Sequence, residues 1–343
     1  MMKSEQLLEK KRDSNMELLR IVAMFLVLVV HADYFSLGAP TSIELQAKPL
    51  ASVTRVFFQI LGVGASNLFI LISGFYGIHP SLKGFYKFVM QILFFSIGIY
   101  LFLYCWGLAP LTLTGIREVF YLSRFDWFIK SFVLLYLFSP VLNVFIENVD
   151  RKTFKSIILA FFAFQTIYGW IYSTCVFFND GYSAISLIGI YLLARYLRLY
   201  PNRYWNITRR KHNLVMFLTC VIINLSLGTV AVALDSDALH SRIAISYTNP
   251  FTIVAGVYVL LLFASFKFYN KGINWIASSA FAVLLFHLNY HIIGYYKQLV
   301  TNVYDSRSGI SCLCFLLLTL GGVFLTSVIL DKIRSNLWKL FNK

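Results

Sequence analysis

Residues 16–35 read MELLRIVAMFLVLVVHADYF, an apolar run in which Arg20 and His31 stand eleven residues apart. At about 100° per residue, eleven steps return to within about 20° of the start, so both side chains fall on one face of a helix. At about 1.5 Å of rise per residue they lie about 16 Å apart along its axis. Ionisable groups at membrane depth are costly, face a bundle interior or a wet cavity, and are functional by default. One stripe of this helix carries two of them.

The rest of the chain agrees with a membrane reading of that run. Of 343 residues, 59% are apolar and 17% aromatic, with a mean hydropathy of +0.71, whereas soluble domains hold about 45–50% apolar residues. The fold class is therefore an all-α integral membrane protein. Apolar stretches of about 20 residues predict ten transmembrane helices. They fall at 16–37, 53–78, 85–108, 127–146, 154–176, 182–199, 213–234, 250–268, 275–299 and 309–330. A single membrane domain then spans 16–330, between a cytoplasmic tail at 1–15 and a short amphipathic cytoplasmic tail at 331–343.

Cytoplasmic loops are enriched in Lys and Arg, and this tests the parsing. With the N-terminus inside, one alternating set of segments carries 22 basic residues and the other 8. That split supports ten spans with both termini cytoplasmic. The net charge of +15 is then accounted for by positive-inside bias and contact with anionic lipid. Nucleic acid is not an expected partner, because the basic residues are spread over loops rather than gathered on one soluble face. Cys105, Cys175, Cys220, Cys312 and Cys314 all lie in apolar surroundings and are odd in number, so no disulfide framework and no metal pattern emerges.

Five further features carry polar groups at depth or at an interface. Ser73 and Gly74, in NLFILISGFYGI, let another backbone or a ligand approach closely. Asn143 lies at the inner end of DWFIKSFVLLYLFSPVLN, where Pro140 removes one helical hydrogen bond and frees a carbonyl. Asp126 and Trp127 mark the outer end of that segment, Trp127 as an interface anchor. His287 and His291 follow at i,i+4 on one face of the ninth span, as groups that shape an acceptor pocket or make interhelical contacts. Leu288 and Asn289 follow His287, so the zinc motif H-E-x-x-H is absent and no metal is expected. Asp33 is about 160° round the helix from His31, so a partner that orients that imidazole must come from another helix.

These features together resemble the acyltransferase-3 family of bacterial integral-membrane acyltransferases, nearest to its surface-polysaccharide O-acetyltransferase branch. The resemblance rests on ELLRIVAMFLVLVVH, NLFILISGFYGI, WFIKSFVLLYLFSPVLN and AFAVLLFHLNYH, which run in family order from Glu17 to His291. It implies a multi-pass protein of the bacterial inner membrane that moves an acyl group, usually acetyl from acetyl-CoA, to a hydroxyl of a glycan or lipid-linked saccharide. His31 would match the motif histidine that acts in transfer, Arg20 the motif arginine of donor binding, and Ser73 and Gly74 the second-span motif. The family's R-x-x-R element is found here only as Arg195 and Arg198, after the sixth span, a displacement that leaves their roles open.

On this reading the donor's phosphates sit near Arg20, and its thioester arm reaches along the stripe to His31, with Ser73, Gly74 and Asn143 on the donor side. His31 acts as general base or as acyl carrier. Asp126, Trp127, His287 and His291 lie toward the acceptor. The rival is a polytopic transporter or glycan exporter without covalent chemistry, but the paired, broken helices of such folds are not seen in the sequence.

Overall fold

The computed structural model describes residues 13–120, 127–173 and 175–341, which form helices and, among the described residues, no strand. In chain order these are α1 (Ser14–Ala32), α2 (Tyr34–Leu37), α3 (Ser42–Ala47), α4 (Pro49–Tyr76), α5 (Leu82–Cys105), α6 (Leu113–Val119), α7 (Trp127–Asn148) and α8 (Arg151–Phe164). They continue with α9 (Ala184–Leu199), α10 (Arg210–Ala233), α11 (Asp237–His240), α12 (Pro250–Ala264), α13 (Lys271–Ala277), α14 (Ala280–His287), α15 (Ile293–Ser306) and α16 (Gly309–Phe341).

Eight stretches are long and apolar enough to cross a membrane: Ser14–Leu37, Pro49–Tyr76, Leu82–Cys105, Trp127–Asn148, Arg151–Ile171, Arg210–Ala233, Asp237–Ala264 and Gly309–Leu340. They correspond to eight of the ten expected spans. The sixth is α9, whose 16 residues extend about 24 Å, short of a typical hydrocarbon core of about 30 Å. The ninth is not one helix but three, α13 to α15. Its last break has a local cause: the Asn289 side-chain oxygen accepts the His291 backbone N–H at 2.9 Å, a turn that competes with helix continuation. His287 therefore ends α14, and His291 lies in the turn before α15. The expectation of two histidines on one helix face is corrected accordingly. The last span also differs in extent, since residues 331–341 prolong α16 as one helix instead of forming a separate segment.

α4 is the spine of the bundle. A Cβ at Gly62 would meet Val30 Cβ of α1 at 2.6 Å, and one at Gly74 would meet Ala194 Cβ and the Tyr191 carbonyl of α9 at 2.7 Å each. Small residues thus let both neighbours approach backbone to backbone, as expected of Gly74. The core formed around them holds Leu28, Ile70, Leu71, Ile72 and Tyr191, none more than 0% exposed. In α7, Pro140 does not interrupt the helix, and the carbonyl it frees, that of Tyr136, accepts the Ser139 hydroxyl at 2.7 Å.

Polar contacts gather the connections at two ends. At one, Tyr76 Oη donates to Asp13 Oδ2 (2.8 Å), Ser14 Oγ to Asn274 Oδ1 (2.8 Å) and Lys332 Nζ to the Trp275 carbonyl (2.6 Å). At the other, Tyr34 meets Ser241 (3.0 Å), Trp170 Nε1 donates to the Arg242 carbonyl (2.8 Å) and Tyr247 N to that of Asp180 (3.0 Å). The first end unites segments that carry the basic excess in the sequence.

Candidate active site

α1 runs unbroken from Ser14 to Ala32 and carries Arg20 at its basic end and His31 in its last turn. The face between them is filled by Met24 and Val27, which are 2% and 4% exposed. A donor arm following this face would have to displace them.

At the basic end, Arg20 is not free. It forms an ion pair with Glu17, one turn earlier and 4% exposed. Two arginines from α9 close the same end. The Arg198 guanidinium lies over the Phe75 ring, 4.7 Å from its centroid. The Arg195 guanidinium lies against Gly77, whose φ of +83° suits glycine and where a Cβ would come within 3.3 Å of Nη1. Among the described residues neither arginine has a carboxylate partner, and the buried Nε of Arg195 has no hydrogen-bond partner. Arg20 and Arg198 both lie within electrostatic reach of the Tyr76 hydroxyl, so they belong to the same basic end of the bundle. Sequence spacing could not reveal this, because it rests on the packing of α9 against α4, residues far apart in the chain.

Ser73 and Asn143 are committed elsewhere. Ser73 Oγ donates to the Phe69 carbonyl of its own helix at 2.8 Å. Asn143 Nδ2 donates to the Ile78 carbonyl (2.9 Å), while its Oδ1 accepts from Tyr191 Oη (2.8 Å), so it clamps the segment after α4 against α7 and α9.

His31 is half-buried, and its Nδ1 lies 3.1 Å from Nε2 of His287. α14 thus supplies the partner that the sequence requires but cannot name. His287 is 0% exposed and its Nδ1 is 2.6 Å from the Val283 carbonyl. Phe35 flanks the His31 ring at 5.1 Å between centroids, and Tyr296, hydrogen-bonded through Oη to the Leu28 carbonyl at 2.7 Å, flanks His287 at 5.5 Å. Lys297, the next residue of α15, lies within electrostatic reach of His31.

Asp33 faces away from His31, as expected. Its Oδ1 accepts from Gln59 Nε2 (2.7 Å) and Arg55 Nε (3.1 Å), and Gln59 Oε1 in turn meets His240 Nε2 (2.7 Å). Gln59 and His240, 0% and 2% exposed, were missed in the sequence although a glutamine inside VFFQILG is a visible anomaly. Trp127 is more than an interface anchor: its ring packs at 4.8 Å from Tyr182 and 5.2 Å from Tyr247, themselves 4.9 Å apart. His291 stacks on Tyr100 of α5 at 4.4 Å and does not approach His31's partner as a metal pair would. Asp126 lies outside the described residues. No group of three His, Cys, Asp or Glu able to hold a metal occurs among the described residues.

These features define an all-helical membrane protein with a basic mouth at one end and an imidazole pair inside the bundle. The chain belongs to the acyltransferase-3 family, whose model, described as an acyltransferase domain, matches residues 13–332. It is a membrane acyltransferase. No curated protein and no solved structure matches the chain.

Proposed function

We infer that the protein moves an acyl group, acetyl in the simplest case, from acyl-CoA to a hydroxyl of a cell-surface or lipid-linked glycan at the bacterial inner membrane. The observation that carries this reading is that Arg195 and Arg198, at the basic end of the bundle, have no carboxylate partner among the described residues. Uncompensated guanidinium groups match phosphate oxygens in a bidentate fork, and the donor carries several. Arg20, neutralised by Glu17, contributes less to that charge than the sequence alone suggests.

The donor's phosphates rest at this mouth on the cytoplasmic side, and its arm follows α1 past Met24, a flexible side chain able to yield. At His31 the imidazole takes the proton of the acceptor hydroxyl as that oxygen attacks the thioester carbonyl carbon. The new C–O bond forms, the C–S bond breaks, and the departing thiolate recovers the proton from His31. Lys297 lies nearer to His31 than the distant Arg20 and is the better candidate to offset charge that develops on the carbonyl oxygen. Trp127, with Tyr182 and Tyr247, offers apolar ring surface on the acceptor side.

The test supplies acetyl-CoA labelled in the acetyl group to membranes that contain the protein. Label entering the glycan fraction, absent from membranes without the gene, is the expected result. Label confined to acetyl-CoA and acetate would contradict it. Withholding the acceptor separates the two chemical routes, because an acyl-histidine intermediate would leave label on the protein.

A further inference from the structure

The two imidazoles that meet between α1 and α14 are not equivalent. His287 Nδ1 faces the Val283 carbonyl at 2.6 Å, and a carbonyl oxygen only accepts, so this nitrogen carries a proton. A charged imidazole buried at this depth is costly, so the ring is neutral and its Nε2 holds a lone pair. The nitrogen that faces this lone pair at 3.1 Å is Nδ1 of His31, which must therefore be the donor. A neutral ring has one N–H. His31 is thus left with its lone pair on Nε2, for which the described residues provide no hydrogen-bond partner.

We propose that His287 is a positioning residue for acyl transfer, holding His31 in the tautomer whose Nε2 is the base. The proposal rests on the role given to His31 above. His287 itself touches no substrate, being 0% exposed. Of the two roles the sequence allows His287, shaping an acceptor pocket or making an interhelical contact, this takes up the second. When Nε2 takes the hydroxyl proton, the Nδ1–H of His31 stays on its ring and its bond to His287 becomes charge-assisted, which steadies the imidazolium until the thiolate removes the proton. His287 keeps its own proton throughout. A carboxylate would serve as acceptor too, but it would add a full charge to an apolar helix, which the neutral ring avoids.

Variants at the two positions separate the proposal from its foundation. His287→Phe keeps a ring of similar size without an acceptor nitrogen, and His287→Leu is a second variant of that kind. His287→Gln restores an acceptor, because the amide oxygen can take the place of Nε2. Full-length protein in membranes is supplied with labelled acetyl-CoA, and label in glycan is followed against donor concentration and normalised to folded protein. The Phe and Leu variants are expected to lose about 10²–10³-fold in maximal rate with the KM for acetyl-CoA within about twofold, and the Gln variant to return to within about tenfold of the native rate. A Phe or Leu variant that keeps most of its rate, or a folded Gln variant as slow as these, overturns the proposal. His31→Ala reports on the foundation. If it transfers normally, the role of His31 itself is wrong, whereas an inactive His31→Ala beside an active His287→Phe removes only the role of His287.

Discussion

The two ends of α1 treat their polar groups in opposite ways. Around His31 and just beyond it most polar groups are linked to one another: Val283, His287 and His31 form one chain, and Asp33, Arg55, Gln59 and His240 another, with His31 Nε2 and His240 Nδ1 left over at their ends. At the mouth, among the described residues, Arg195 Nε is buried without a hydrogen-bond partner and Arg198 lies over the Phe75 ring without a carboxylate partner. A buried polar group without a partner costs about 1–3 kcal/mol, so such groups persist where a ligand completes them. Closed networks set geometry. Open ones bind.

Substitutions should divide along that line. Replacing Arg195 and Arg198 together with Ala is expected to raise the KM for acetyl-CoA about 10²-fold with little change in maximal rate, since binding equal in ground and transition states is lost. A lowered maximal rate at unchanged KM would place them in the chemistry instead. Met24→Trp, which fills the face between mouth and histidine, should raise the KM about tenfold, while Met24→Ala should leave it unchanged or lower it; equal kinetics in both would move the donor path elsewhere. Asn143→Ala should leave donor affinity alone and destabilise the fold by about 1–3 kcal/mol, because the Tyr191 hydroxyl loses its acceptor and the Ile78 carbonyl its donor. A melting temperature unchanged beside a raised KM would return Asn143 to the donor site. Arg20→Lys is the mildest, with the KM raised about threefold, as Lys keeps the pair with Glu17 but not the planar fork.

Much of this architecture is legible in the sequence because helices in lipid must satisfy their own backbones, so apolar length alone locates most of them. The stripe of Arg20 and His31 follows from helical periodicity, and the close approach at Gly74 from the absence of a side chain. Local chemistry defeated the rest. The hydropathy of 275–299 suggests one span, but the Asn289 side chain ends α14 and sends His287 and His291 to different neighbours. Contacts between distant segments were equally hidden: nothing in the spacing of ARYLRLYP brings Arg195 to Gly77, and nothing near His31 names His287 as its partner. The polar chain through Gln59 and His240 joins residues 181 apart in sequence.

The central claim is that His31 transfers protons at an acyl group delivered from the basic mouth. Its most direct test compares native protein and His31→Ala, both shown to be folded in the membrane, for movement of labelled acetyl from acetyl-CoA into glycan. The account predicts that the variant binds acetyl-CoA with nearly native affinity and transfers at least about 10²-fold more slowly. Transfer at the native rate would contradict it.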